Sequence, residues 1–314
     1  MMDFQKRIEE LKKKRNAVIL VHNYQLPEVQ DVGDFVGDSL GLSIEASKTA
    51  ADVIVFCGVY FMAETAKILS PHKTVLIPDA SSGCPMADMI TAEQLRELKA
   101  KHPKAKVMCY VNTSAEVKAE CDYCCTSANA EIMLTEAFSD DDEIIFVPDK
   151  YLASYAANRT GRKIILWHGY CKSHLKILPE HVHQQKELHP KALVMAHPEC
   201  LSAVTQMADA VLSTSGMLEY VKRSDAKEFI VGTEVGMLHS LRKANPGKKF
   251  YPASDIAICP NMKKITLEKV IRSLEEMRDE VVLSEEIISK AHKSIFRMIN
   301  IGKSSDVAST EAKI

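Results

Sequence analysis

Short apolar runs alternate along the chain with longer segments in which apolar positions return every three or four residues. The first kind fits strands buried on both faces, and the second fits helices that bury one stripe. In chain order the strand-like runs are AVILV (17 to 21), DVIVF (52 to 56) and TVLIP (74 to 78), then KVMCYV (106 to 111), EIIFVP (143 to 148) and KIILW (163 to 167), then ALVMA (192 to 196), AVL (210 to 212), FIV (229 to 231) and KKFY (248 to 251). Strands separated by helical crossovers pair in parallel, so the pattern predicts an α/β chain. The opening MMDFQKRIEELKKKR sets Phe4, Ile8 and Leu11 on one helical face, and NMKKITLEKVIRSLEEMRDEV and residues 284 to 300 read as two further amphipathic helices that pack back on the body. The tail SSDVASTEAKI has no period and is expected to fray.

The runs fall into three passes, and each pass ends on a cysteine: Cys84, Cys171 and Cys259, 87 and 88 residues apart. Polar residues follow the opening strand of each pass: His22-Asn23-Tyr24, then Asn112-Thr113-Ser114, then His197-Pro198-Glu199. A small hydroxyl cluster comes later in each, at Asp38-Ser39, Thr126-Ser127 and Ser213-Thr214. Self-similarity at a long fixed period marks a repeated structural unit. The chain therefore reads as three similar three-layer α/β units with parallel sheets, residues 1–85, 86–172 and 173–260, followed by C-terminal helices and tail over 261–314. Ligands of open parallel sheets sit beyond the carboxyl ends of the strands, where helix N-termini present free N–H groups. Three units around a pseudo-threefold axis, with those ends inward, would build one central active site.

Composition narrows the function. The formal net charge is -2, with basic and acidic residues interleaved, which leaves no positive field for a nucleic acid. No window approaches the ~20 continuous apolar residues of a membrane span, and the charged N-terminus lacks the apolar core of a signal, so a cytoplasmic protein is expected. Nine cysteines, an odd number in a chain of this kind, favour metal binding, catalysis or packing over a disulfide framework.

Three cysteines from three units fit zinc poorly, because structural zinc takes four closely spaced ligands. An iron-sulfur cubane suits them better, since each iron takes one protein thiolate, and three thiolates leave one iron open as a Lewis acid. Cys57 and Cys109 lie inside apolar strands and read as core; Cys200 reads as packing; CDYCC (Cys121, Cys124, Cys125) offers a Cys-x-x-Cys pair with no further ligands near it. His181, His183 and His189 sit among Gln, Lys and Glu on what reads as a solvated helix face. His22 and His197 end equivalent strands and are favoured as functional, and His174, three residues past Cys171, is placed either to support a ligand or to cap a helix. Glu199 suits a general base and Tyr24 a proton donor. Small hydroxyls, Asn112 and helix N-termini suit a compact polyanion such as a dicarboxylate, and no glycine-rich nucleotide fingerprint accompanies the strands.

The motifs HNYQ (22 to 25), GDS (37 to 39), YVNT (110 to 113), CCTSANA (124 to 130), HGYC (168 to 171), HPEC (197 to 200), STSGM (213 to 217), GTEVGM (232 to 237) and CPNMK (259 to 263) resemble, in order and over nearly the whole chain, the quinolinate synthase family of bacterial and archaeal NAD biosynthesis. The resemblance implies three α/β domains around a pseudo-threefold axis, with Cys84, Cys171 and Cys259 holding a [4Fe-4S] cluster that keeps one iron open. It implies condensation of iminoaspartate with dihydroxyacetone phosphate, losing phosphate and water, to give quinolinate. By motif match, His22, Ser39, Tyr110, Asn112, Ser127, His197, Glu199, Ser213 and Thr214 would contact substrate, and Tyr24, His197 and Glu199 would act in catalysis. An aspartate oxidase or dehydrogenase is the implied supplier of iminoaspartate. Two departures stand out: CPNMKK lacks the second cysteine that some members carry after the third ligand, and DASSGCP has Ser82 where alanine is frequent. An iron-sulfur electron carrier or redox sensor is the alternative from another class; it would carry four cysteine ligands and no array of His, Glu, Tyr and Asn at the strand ends.

Overall fold

The computed structural model describes residues 4–301, so the tail SSDVASTEAKI lies outside the described residues. Its twelve strands form three separate four-stranded parallel sheets. The first contains β1 (Ala17–His22), β2 (Phe35–Gly37), β3 (Val53–Cys57) and β4 (Thr74–Leu76) in the order β2-β1-β3-β4. The second, from β5 (Lys106–Tyr110), β6 (Tyr123–Cys125), β7 (Ile144–Val147) and β8 (Ile164–Leu166), runs β6-β5-β7-β8. The third, from β9 (Leu193–Ala196), β10 (Ala210–Val211), β11 (Glu228–Gly232) and β12 (Lys249–Pro252), runs β10-β9-β11-β12. One topology thus occurs three times, with helices between successive strands.

A single device fixes the register of each copy. Ile19, Val107 and Val194, on the three opening strands, each donate their backbone N–H to an aspartate fifteen residues ahead: Asp34 at 2.8 Å, Asp122 at 2.8 Å and Asp209 at 2.7 Å. The same aspartates return a backbone N–H to the carbonyls of those three residues. Each aspartate thereby starts the short edge strand against the opening strand. These edge strands are where the structure adds to the sequence reading, which had no strand at 35–37 or 123–125. Both are only three residues long, and in the first Phe35 and Val36 are 43% and 38% exposed, so no long apolar run marks them.

Helix starts follow local chemistry. Asp38 caps helix 39–48 through the Gly41 N–H, Thr91 and Gln94 form a capping box on helix 92–101, and Ser213, Thr266 and Ser284 cap helices 214–223, 267–276 and 285–300. Helix 267–276 packs on helix 4–15 beside the first sheet, and helix 285–300 buries Ala291, Ser294, Ile295 and Met298 against helices 60–69 and 115–119 and β6. The C-terminal segment therefore straps the first two sheets together, while the carboxyl ends of all three are left facing a common cavity.

Candidate active site

The aspartate register aligns the three units residue by residue. Three positions past the bracketed residue come His22, Tyr110 and His197, and two further on come Tyr24, Asn112 and Glu199. All six line the cavity. This corrects the equivalence expected from sequence, which matched Asn112-Thr113-Ser114 to the histidine turns. Thr113 is buried with its hydroxyl on the Tyr110 carbonyl at 3.2 Å, and Ser114 caps helix 115–119, so both are structural. The hydroxyl clusters align too: Ser39, Ser127 and Thr214 face the cavity. One position earlier stand Asp38, Thr126 and Ser213. The Ser213 hydroxyl, expected at substrate, accepts the Gly216 N–H at 3.1 Å and reaches Asp38 at 3.3 Å.

Cys84, Cys171 and Cys259 line the same cavity, on loops built alike. Each is followed three residues later by a 3-10 turn, at Ala87–Met89, His174–Lys176 and Met262–Lys264. The turns aim two backbone N–H groups at each sulfur: those of Met86 and Ala87 at Cys84, Ser173 and His174 at Cys171, and Asn261 and Met262 at Cys259. Such donors favour a thiolate. Burial works the other way, pushing the Cys84 thiol up to about 12 and raising Cys171 and Cys259, so in a metal-free chain all three stay thiols. Polar bonds knit the loops together: the Asn261 side chain donates to the Gly83 carbonyl at 2.7 Å, and the Ser82 hydroxyl lies 2.9 Å from the carbonyls of both Gly58 and Asn261. The Ser82 departure therefore adds a contact between the first and third loops.

A hydrogen-bonded chain runs beside Cys171. His174 Nδ1 lies 2.7 Å from Glu199 Oε2 and 3.2 Å from Cys171 Sγ, and His174 Nε2 lies 2.9 Å from the Thr233 hydroxyl. Thr233 in turn is 2.6 Å from the Tyr24 hydroxyl, and the Tyr110 hydroxyl donates to Glu199 Oε1 at 2.6 Å. With Nδ1–H on Glu199, Nε2 is free to accept from Thr233, and Thr233 from Tyr24. This is the hydroxyl–imidazole–carboxylate logic of a catalytic triad extended by a phenol. Burial would raise the Glu199 carboxyl, but His174 and the Tyr110 hydroxyl hold it well below the ordinary carboxylate range. Burial raises both tyrosines well above theirs, with the Glu199 charge adding to it, so both are phenols at rest.

His22 and His197 share a second device. Each ring accepts, at Nδ1, the backbone N–H two residues on: Tyr24 at 3.1 Å and Glu199 at 3.3 Å. That fixes the neutral tautomer with Nε2–H outward, and His197 uses it toward Ser127 at 3.1 Å. Burial lowers both rings to about 3, so they stay neutral donors at physiological pH. His197 stacks on His174 with centroids 4.8 Å apart, which places the third unit's opening strand against the second unit's cysteine loop.

Residues 6–300 match the family model described as quinolinate synthetase A protein. The chain is 56% identical over 299 residues to quinolinate synthase 1 of Methanosarcina acetivorans, covering 95% of this chain and 98% of that protein. It is 55% identical to a Dehalococcoides mccartyi quinolinate synthase (94% and 97% covered) and 53% identical to one from a Geobacter species (94% and 96%). The chain belongs to the quinolinate synthetase A family. It is thus an enzyme of quinolinate formation, in NAD biosynthesis.

Membership in the quinolinate synthetase A family implies an iron-sulfur cofactor, and the donor set fits one: three thiols from three loops, each with two N–H groups on its sulfur, around one cavity. His174 and Glu199, which cluster with Cys171, pair with each other at 2.7 Å. The remaining thiols lack this setting. Cys57, Cys109, Cys124, Cys125 and Cys200 are almost wholly buried, and Cys121 nearly so. The CDYCC stretch is an edge strand, in which Cys124 faces Cys109 at 3.2 Å rather than an exposed turn. His183 lies on the exposed face of helix 179–188. Thr233, beside the cavity, and Glu234, on its wall, were not picked out in the sequence reading. Both follow β11 in GTEVGM, and Glu234 stands at the strand-end position that Asp149 occupies in the second unit and Val59 in the first; register, not residue type, was the signal. Among the described residues no helix is long and apolar enough to cross a membrane.

Proposed function

We propose that this chain condenses iminoaspartate with dihydroxyacetone phosphate, with loss of phosphate and water, in a site shared by three units related by a pseudo-threefold axis. Cys84, Cys171 and Cys259 hold a [4Fe-4S] cluster. When bound, it supplies one iron without a protein ligand, a Lewis acid for a substrate oxygen. The observation that carries the reading is the convergence of the three thiols with the Tyr24–Thr233–His174–Glu199 chain in one cavity.

The other residues divide the remaining work. Ser39 and Thr214 open ten-residue helices at the cavity, so their hydroxyls and the N-terminal N–H groups suit the phosphate and carboxylates. The Nε2–H groups of His22 and His197 add neutral donors. Asn112 Oδ1 is buried without a partner, so it awaits a donor, which the imine or amine nitrogen of iminoaspartate provides. Glu199, held ionised, accepts a proton, and Tyr24 delivers its own to a departing hydroxyl; the phenolate is reprotonated once His174 takes up a proton at Nε2, which turns the chain round so that Nε2–H donates to Thr233 and Thr233 to Tyr24. Protein reconstituted anaerobically and given both substrates should form quinolinate, detected by mass. A fully loaded protein that forms none would sink this reaction.

A further inference from the structure

The Glu234 side chain is fully buried just past β11 and gathers groups from two units. Its Oε1 accepts the backbone N–H of Cys259 at 3.0 Å, its Oε2 accepts that of Gly236 at 2.6 Å, and Lys263 Nζ lies 3.0 Å away. Lys263 also donates to the backbone carbonyl of Tyr24. Gly236 is packed into this junction: a Cβ there would come within 2.8 Å of both Glu234 Oε2 and Lys263 Nζ and within 2.9 Å of the Tyr24 carbonyl carbon. The Gly236 carbonyl accepts from Gln30 Nε2 at 3.0 Å, and that amide also holds the carbonyls of Asn23 and Gln25 on either side of Tyr24.

We propose that Glu234 and Lys263 are positioning residues, an ion-pair clamp with its carboxylate buried that fixes the Cys259 loop of the third unit to the Tyr24 turn of the first. The clamp is not a by-product of the repeat. At the equivalent pairs of positions the first unit has Val59 and Asp88 and the second Asp149 and Leu175, neither of which can form an ion pair. It occurs only where the third unit meets the first, and there it joins a ligand loop to the phenol that handles protons. The inference rests on the roles given above to Cys259 and Tyr24, but its geometry is independent of the reaction.

Lys263→Met removes the cation and leaves the rest of the junction. In the metal-free chain, amide exchange should quicken by about tenfold or more in both the 22–26 and the 257–262 segments, because both lose one shared anchor. In the loaded protein a chelator should strip iron several times faster, and kcat should fall about tenfold with KM within about threefold, the pattern of lost positioning rather than lost binding. A surface control, Lys249→Met, should change neither. Should Lys263→Met fail to fold, Glu234→Gln with Lys263→Met removes both charges and should fold while still uncoupling the two segments. Faster exchange at 257–262 alone, or unchanged exchange at both, would overturn the clamp. Coupled exchange in a chain that makes no quinolinate would leave the clamp standing and overturn the reaction.

Discussion

The cysteine loops and the opening-strand ends lie in the same three units, yet they treat the repeat in opposite ways. The loops are alike down to the 3-10 turn and the two N–H groups on each sulfur. The strand ends share a register but not residues: His, Tyr and His at one level, then Tyr, Asn and Glu two residues on. A symmetric group needs three equal holders, whereas two dissimilar substrates need each wall to differ. On the proposed reading, repetition kept the frame and the holders, and divergence at two levels of side chains made the chemistry.

The largest effects should come from the repeated part. Cys171→Ser should abolish both the visible absorption of the reconstituted protein and quinolinate formation, and Cys84→Ser and Cys259→Ser should do the same. Cys124→Ser, a buried thiol without backbone donors on its sulfur, should retain both. Loss of absorption in Cys124→Ser would erase the distinction between the two classes of thiol.

In the diverged part the losses should be large but partial, and absorption should persist. Glu199→Gln and Tyr24→Phe should each lower kcat by about 10²–10⁴-fold, the usual range for a lost proton-transfer group. Thr233→Val, which cuts the chain between Tyr24 and His174, should lower kcat with little change in KM. If Thr233→Val behaves as the native chain does, proton supply does not pass through that hydroxyl.

The same division governs what could be read from the sequence. Buried central strands and the period between cysteines were plain, because four or five apolar residues flanked by helical segments have few other readings. The edge strands at 35–37 and 123–125 were not, since a three-residue strand has no period to show. Residues whose type suggests a role, such as His22, Glu199 and the three cysteines, stood out at strand ends. Thr233 and Glu234 did not, because their meaning lies in partners 59 and 25 residues away, His174 and Cys259. Thr113 and Ser114 looked functional because a cluster was matched by polarity; only the aspartate bracket, a contact between neighbouring strands, fixes which residue stands opposite which.

A smaller effect separates the two neutral histidines from ordinary ones. An unfolded imidazole binds a proton near 6.5, whereas His22 and His197 resist it until about 3, so below pH 6.5 the unfolded chain binds more protons. Their contribution to stability is complete above that pH and is lost as pH falls, by about 1.4 kcal/mol per unit for each ring. Glu64, raised to about 7 by burial, acts in the opposite sense over the same range, so the test is the difference between chains: in denaturant titrations of the metal-free chain between pH 7 and 5, His22→Asn should lose less stability than the native chain. An unchanged slope would mean that His22 is not held neutral by burial.

The smallest effect probes the frame itself. Asp209→Asn keeps the size of the bracket but trades a charged acceptor for a neutral one on the Val194 N–H, and should cost about 1 kcal/mol. Asp34 differs because Lys12 already pairs with it at 2.6 Å, so Asp34→Asn also loses an ion pair, one partly open to solvent on its carboxylate side and worth about 1 kcal/mol. If the bracket is what the three units share, the two costs should agree within that margin, and cluster absorption should survive in both variants. A much larger loss at one position would show that the units depend unequally on a device they have in common, and that the frame diverged along with the walls.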